Sequence, residues 1–450
     1  MTRFGSYGKN SVLTFLAAIL NLALGIFLSV ILARVLGPEG KGIYTILTLF
    51  SYLIVTFGNL GVPSAAAFYV AKRIYAPQEI LGNTVLISLL TGTLGIIAGL
   101  ITAILMGQYI FPGISQGYLV LALLIIPGNM LLIHLQYILL GAQYIKEYNL
   151  TAVVQGFLSF ILTMFFLWIA RMGVTGALMA IILSWVFASI FTLVLAVRVS
   201  NGIKLQMNLS YLRNALEYGL KIHISNILRF LSLRVNLFFV NAFLNPAAVG
   251  FYSVSVGLAE KLWLISQAAA TVLFPRIAME EDNVKQKEFT PIVVRTVLWI
   301  MIFMALIIYL ISSWLISFLY SKTFLPSVAS LKILLLGTIA AGPGQILGND
   351  IAGRGRPILN VYANIGGFIS IVVLSALWIP KYGIEGAAWA STVSYIFSSI
   401  ITALLYVQIS GNSLRTIIFP QKTDWILYWQ TGKNLCQWVG KKTGLIEAAG

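Results

Sequence analysis

One joint occurs twice in this chain. Arg34 to Tyr44 reads RVLGPEGKGIY, and Ala242 to Tyr252 reads AFLNPAAVGFY. In each copy an apolar helix is expected to stop at Gly37 or Asn245, residue types that tolerate a left-handed cap. Pro38 or Pro246 follows, where a new helix can start. Gly42 or Gly250 then permits close helix packing, and Tyr44 or Tyr252 is expected to hold an aromatic ring at a membrane interface. The proline, glycine and tyrosine pairs are all separated by 208 positions. A second pair, Gly173-Val-Thr-Gly-Ala177 and Gly383-Ile-Glu-Gly-Ala387, is separated by 210. The chain therefore reads as a tandem duplication.

The stretches between these joints are apolar and long enough to cross a hydrocarbon layer of about 30 Å at roughly 1.5 Å per residue. Twelve helices are expected, near 11–33, 43–67, 81–106, 118–140, 150–170, 174–197, 214–244, 248–275, 291–319, 328–351, 358–379 and 384–409. With 59% hydrophobic and 9% charged residues and a mean hydropathy of +0.93, the fold class is an all-α integral membrane protein. The duplication places a break within Arg198 to Arg213. It gives an N-lobe at 1–200, a C-lobe at 201–410 and a cytoplasmic tail at 411–450. Each lobe then has six helices and, six being even, the same orientation, which makes a parallel pseudo-symmetric repeat.

Arg3 and Lys9 precede a first apolar stretch of spanning length with no small-residue cleavage site, so an uncleaved helix is expected there. Cys436, the single cysteine, excludes an intramolecular disulfide framework and a cysteine-ligated metal. The net charge of +16 comes without a basic run interleaved with aromatics, which argues against nucleic acid as a partner. The charges instead signal topology. With the N-terminus in the cytoplasm, 18 lysines and arginines between helices fall on that side and five, Arg34, Lys41, Arg171, Lys322 and Lys381, on the other. Both termini are thus expected on the cytoplasmic face of the cell inner membrane, with Arg34 and Lys41 fitting the rule poorly. The internal link Arg276 to Thr290 reads as amphipathic, and the tail, with Trp425, Tyr428, Trp429 and Trp438 among lysines, suits the inner leaflet.

The seventh expected helix is the least lipid-like. Every fourth residue gives Arg213, Glu217, Lys221, Ser225 and Arg229, continuing through Ser232 and Asn236, with His223, Asn226 and Arg234 beside that line. Charges at membrane depth line a cavity or pair with one another. Arg213 and Lys221 can snorkel to the inner surface, whereas Arg229 and Arg234 lie roughly 24 and 32 Å along the helix from Arg213. The eighth helix brings Glu260 and Lys261 to a similar depth, either as cavity charges or as a structural salt bridge. The four cations Lys221, Arg229, Arg234 and Lys261 outnumber Glu217 and Glu260 by two, so a cavity built from them favours an anion. The N-lobe helices offer Asn21, Ser29, Ser51, Tyr52, Thr56 and Asn59 but no buried carboxylate. His134 and His223 stand alone, which argues against a metal site, and Asp350 is placed to pair with Arg354 or Arg356. No catalytic triad, zinc signature or phosphate loop is present, and neither an enzyme nor a cofactor is expected.

The stretches ILARVLGPEGKGIYTILTLFSYLIVTFGNLGVPSAAAFYVAKR, VGFYSVSVGLAEKLWLISQAAATVLFPRIA and GIEGAAWASTVSY resemble the polysaccharide flippases of the multidrug, oligosaccharidyl-lipid and polysaccharide exporter superfamily. That resemblance covers most of residues 5–410. It implies two six-helix lobes in a V around a central cavity that opens alternately to each side and translocates a lipid-linked oligosaccharide. Flippases of this kind often carry an acidic residue near the position of Asn236, so ion coupling through that position is in question here. The substrate-binding candidates are Lys221, Arg229, Arg234, Lys261, Glu217, Glu260, Ser225, Asn236, Asn21 and Asn59. A polyprenyl-pyrophosphate glycan would set its pyrophosphate among the lysine and arginine donors and its sugars against Asn, Ser and Tyr. Implied partners are that lipid, membrane lipids, a glycan polymerase and a chain-length regulator, with the flippase acting as a monomer. Two alternatives stay open. A drug or organic-cation antiporter of the same superfamily needs a membrane carboxylate, and a polymerase or ligase acting on lipid-linked glycans needs a sizeable outer loop.

Overall fold

The computed structural model describes residues 3–279, 283–421 and Asp424, with side chains described outside 3–12, 221–222, 272, 274–276, 278–279 and 283–286. The tail aromatics from Trp425 onward and most of the link at 279–289 lie outside the described side chains.

The described residues are almost all helical, with no strand among them. The first half contains α1 (Arg3–Gly58), α2 (Val62–Lys72), α3 (Pro77–Ile110), α4 (Gln116–Leu123), α5 (Ile125–Gly141), α6 (Ile145–Met164) and α7 (Gly173–Val199). The second contains α8 (Leu209–Phe243), α9 (Pro246–Ala259), α10 (Trp263–Met279), α11 (Asn283–Leu319), α12 (Ser327–Gly353), α13 (Ile358–Ser410) and α14 (Leu414–Ile418). Nine stretches of the described residues are long and apolar enough to cross a membrane. Two of them, Leu13–Gly58 and Ile358–Ser410, each hold two of the expected crossings, bent at Gly37 and Gly383. The remaining expected crossing is α8, which its polar residues keep out of the apolar set. The result is compatible with twelve crossings. Large apolar side chains stand exposed along these helices, among them Leu105, Trp314 and Phe318, as a lipid-facing surface requires.

The two pairs of repeat markers behave differently. Gly173 and Gly383 both take a positive φ, 57° and 59°, so this joint is the same in both copies. Gly37 also has a positive φ, 67°, but Asn245 does not. Its side-chain oxygen instead accepts the Ala248 N–H at 2.9 Å, so Asn245 acts as a cap at the start of α9 and not as a left-handed stop.

The chain comprises two compact units. One is built from Met1–Ala259, Leu310–Leu334 and Gly367–Ser394, the other from Glu260–Tyr309, Leu335–Gly366 and Tyr395–Gly450. In the first unit a core of Val62, Ala66, Ile80, Leu81, Leu135, Ile138, Leu139, Ala196, Tyr211 and Ala215 joins α2, α3, α5, α7 and α8. The two copies of the repeated joint also meet within this unit, and their contact is reciprocal. A Cβ added to Gly42 would lie 1.7 Å from the Pro246 carbonyl oxygen, and one added to Gly250 would lie 2.0 Å from the Pro38 carbonyl oxygen. Backbones this close leave room only for glycine. Arg34 has its own task here: its Nε donates to the Leu319 carbonyl at 2.8 Å and its Nη2 to that of Phe318. These carbonyls end α11 without helical partners, and a cation there also complements the helix dipole.

In the second unit Arg295 is fully buried and forms a bidentate pair with Asp424, both contacts at 2.6 Å, while its Nη1 donates to the Thr416 carbonyl. Burial pushes the Asp424 carboxyl up, but the Arg295 hydrogen bonds and charge together with the Gln421 N–H outweigh it and hold the carboxyl below its ordinary value. The pair fastens the segment after α14 to α11.

Candidate functional site

Helix α8 starts at Asn208, whose side-chain oxygen accepts the Tyr211 N–H at 3.0 Å. Along it the polar stripe passes from surface to interior. Glu217 and Arg229 are exposed, Ser225 and Arg234 are half-buried, and Asn236 is buried. The side chain of Lys221 lies outside the described ones. Arg234 donates from Nη1 to the Leu233 carbonyl at 3.3 Å. Glu260, half-buried, and Lys261, exposed, sit on a single 3-10 turn, Glu260–Leu262, that interrupts the expected eighth helix between α9 and α10.

Asn236 is at the centre of a small buried network. Its Nδ2 donates to the Tyr252 hydroxyl at 2.7 Å and to the Ser391 hydroxyl at 2.6 Å. The Tyr252 and Ser391 hydroxyls are 2.9 Å apart, and Tyr252 also donates to the Ala387 carbonyl at 3.2 Å. The Asn236 Oδ1 is buried without a partner. The network is neutral and links α8, α9 and α13. It also corrects the expectation for the repeated tyrosines: Tyr252 is 0% and Tyr44 8% exposed, so both rings point into the protein instead of marking an interface. The glycine two residues earlier brings the backbone so close to its partner that the following turn faces inward.

Tyr44 borders a cavity of about 490 Å³ between α1, α5, α6 and α7. Asn21, Thr48, Tyr52, Gln136, Gln155, Ser159 and Trp185 supply its polar lining, and leucine and isoleucine side chains, Leu28 and Ile181 among them, supply the rest. Asn21 was expected at a site and lines this one. Asn59 lies elsewhere, its Oδ1 accepting the Gly61 N–H at 2.9 Å in the turn between α1 and α2. Gln136, Gln155, Ser159 and Trp185 escaped the sequence reading. Gln155, Gly156 and Ser159 share one face of α6, and a polar stripe within an apolar helix was the available signal.

The remaining polar groups have local roles. His134 is fully buried with its Nδ1 2.5 Å from the Ser88 hydroxyl, and His223 places Nε2 3.2 Å from the Phe57 carbonyl. Asp350 is buried and accepts from Arg354 and from Thr290, while Arg356 is exposed. Among the described residues no three His, Cys, Asp or Glu side chains cluster as metal ligands would.

Residues 31–329 match the family model described as polysaccharide biosynthesis protein. A probable low-salt glycan biosynthesis flippase, Agl15 of Haloferax volcanii, is 22% identical over 171 residues, which cover 36% of this chain and 35% of that protein. The match thus spans about a third of that relative's length. Among solved structures, the lipid II flippase MurJ in an inward closed conformation superimposes with a TM-score of 0.75 at 16% identity, covering 97% of this chain and 99% of that one. An outward-facing multidrug resistance transporter of the MATE family gives a TM-score of 0.63 at 17% identity, over 90% of this chain and 96% of that one.

Proposed function

Because the chain belongs to the polysaccharide biosynthesis protein family, we propose that it is a flippase carrying an anionic lipid-linked oligosaccharide across the cytoplasmic membrane by alternating access. The observation that carries this reading is the position of Arg229. Helix α8 has 35 residues, and Arg229 stands exposed on it, roughly 30 Å from Leu209 and roughly 21 Å from Phe243. A guanidinium at such depth is held by water, an anion, a carboxylate or backbone carbonyls, and the exposure of Arg229 favours the first two. It stays charged and offers several donors in a plane, which suits a pyrophosphate. Lys221 and Arg234 of the same helix support it, and Glu217 keeps the hold weak enough for release.

The two copies of the repeat, 1–200 and 201–410, are taken as the moving bodies, although compactness groups α8 and α9 with the first copy, and the load drives them by binding their conformations with different affinity. Both termini face the cytoplasm, and the physiological load is a polyprenyl-pyrophosphate glycan destined for a cell-surface polysaccharide. MurJ, a lipid II flippase, and Agl15, a probable low-salt glycan biosynthesis flippase, support this choice. A cation antiporter is the weaker reading, since no carboxylate lines the first-half cavity.

Arg229→Ala is expected to abolish glycan export in a complementation assay at normal protein level and membrane insertion, with Arg229→Lys restoring part of it. Normal export by Arg229→Ala would sink the assignment. Cysteine labelling in a Cys436→Ser background checks the topology: labelling from outside at Lys72, Lys146, Lys204 and Arg354 would overturn it.

A further inference from the structure

The first-half cavity has a lining that its surroundings do not explain. It lies within membrane-spanning helices, yet two amides, Asn21 and Gln155, line it and have no hydrogen-bond partner among the described residues. Ser159 adds a hydroxyl from the same face of α6. The Trp185 indole N–H is buried and makes no hydrogen bond of ordinary geometry, and its ring meets that of Tyr52 edge-on at 6.3 Å. Unpaired amides are costly in an apolar setting, and an occupant that satisfies them recovers that cost.

The lining selects the class of occupant. It contains no charged side chain; Lys41 is buried close by in sequence, but it is held over the Tyr44 ring at 5.8 Å and is not part of the wall. An anion would find no cation here and a cation no carboxylate. A hydrocarbon tail would leave the amides unpaired. A sugar meets every feature: its hydroxyls both donate and accept, as amides do, and its C–H faces pack on the aromatic walls formed by Tyr52 and Trp185. At about 490 Å³ the space is in the range of small-molecule sites.

We infer that the cavity between α1, α5, α6 and α7 binds a neutral, uncharged sugar segment of a glycan. This deepens the flippase reading and rests on it for the physiological ligand, while the site itself stands on its lining. The amides hold the sugars and the aromatic rings pack on them, while the charges of α8 hold the pyrophosphate.

Binding to the purified full chain in a sugar-free detergent tests this, with maltose, lactose and chitobiose as probes and inorganic pyrophosphate as competitor. At least one disaccharide is expected to bind saturably and to resist displacement by pyrophosphate. Gln155→Ala is expected to weaken it by roughly tenfold, the loss of a good hydrogen bond. Gly156→Ala should do the same without unfolding the chain, because its new Cβ would lie 2.7 Å from the Asn21 Oδ1, a movable side-chain end, and push that amide aside. Trp185→Ala removes one aromatic wall, and a loss of about threefold is expected. Absence of disaccharide binding, displacement by pyrophosphate, or unchanged affinity in all three variants overturns the inference. Translocation of a fluorescent polyprenyl-pyrophosphate glycan in proteoliposomes separates it from the function it rests on. Sugar binding without translocation supports the site and sinks the flippase reading, and unaltered translocation with no sugar binding sinks the site alone.

Discussion

In the first half of the chain Tyr44 borders an open cavity, and at the equivalent position of the second half Tyr252 is locked into a hydrogen-bonded network. The correspondence is wider than one residue. Adding 208 carries Asn21, Leu28, Tyr44 and Tyr52 to Arg229, Asn236, Tyr252 and Glu260, and adding 210 carries Ile181 to Ser391. Where the first copy has Leu28 and Ile181 the tyrosine has nothing to bind, and space remains. Where the second has Asn236 and Ser391, the hydroxyl draws them in and the space closes. The two outer positions differ as well: an amide and a phenol in the first copy, an arginine and a glutamate in the second. A duplicated framework thus fixes where polar chemistry can be placed on these helices, and the individual side chains decide whether that place is left hollow or filled by a hydrogen-bonded network.

The largest expected effect comes from breaking the contact that aligns the copies. Gly42→Val must push its helix off the Pro246 carbonyl, as Gly250→Val must off that of Pro38. Each is expected to destabilise the protein by on the order of 4 kcal/mol or more, the range of severe overpacking and backbone displacement. Gly257→Val is the control, because nothing lies within 4 Å of a Cβ added there. Thermal unfolding in detergent and the amount of folded protein in membranes are the measurements. Gly42→Val accumulating and melting like Gly257→Val would break the symmetric pairing on which the comparison depends.

Much of the framework was legible in the sequence because hydropathy and glycine-proline punctuation are local signals. The spanning helices and the breaks near Gly37 and Gly383 follow from such signals; the left-handed φ shared by Gly173 and Gly383 was not read from the sequence. Asn245 was misread because asparagine serves both as a left-handed stop and as a helix cap, and only the position of the Ala248 N–H decides between them. Tyr44 and Tyr252 were misread because an aromatic near a helix start suits an interface or an interior equally well, and the choice depends on how closely the helices cross. Charge made Arg229, Arg234 and Glu260 stand out as candidates in the sequence, and the role of the two arginines rests on the proposal tested above. Gln155 and Trp185 stayed hidden, since a single amide or indole in an apolar helix acquires meaning only from the neighbours that four separate helices bring to it. Arg295 escaped for the same reason: its partner Asp424 is 129 positions away.

A smaller effect tests the filled side of the comparison. Tyr252→Phe removes the hydroxyl that Asn236 and Ser391 share, and a loss of about 1–2 kcal/mol is expected, near the upper end of interhelical hydrogen bonds measured in membranes. Tyr44→Phe, at the equivalent position, removes a hydroxyl with no hydrogen-bond partner among the described residues and should change stability by less than about 0.5 kcal/mol. Equal losses at the two positions would show that the halves do not differ in the way their side chains indicate.

The smallest effect is the most discriminating. If the cavity is open only because Leu28 and Ile181 cannot bond to Tyr44, then Leu28→Asn with Ile181→Ser should recreate in the first half the arrangement of Asn236, Ser391 and Tyr252. The test is a coupling measurement, with Tyr44→Phe introduced into the natural chain and into the Leu28→Asn/Ile181→Ser background. In the natural chain it should cost almost nothing, and in the altered background about 0.5–1.5 kcal/mol, the net worth of a hydrogen bond formed where none existed. The altered background as a whole is expected to be slightly less stable than the natural chain, because two apolar side chains have been replaced by polar ones. Only the difference between the two Tyr44→Phe values therefore carries information. A coupling near zero would mean that positions matched by spacing in the sequence are not matched in space, and the hollow and filled halves would then owe their difference to helix geometry instead of to two side chains.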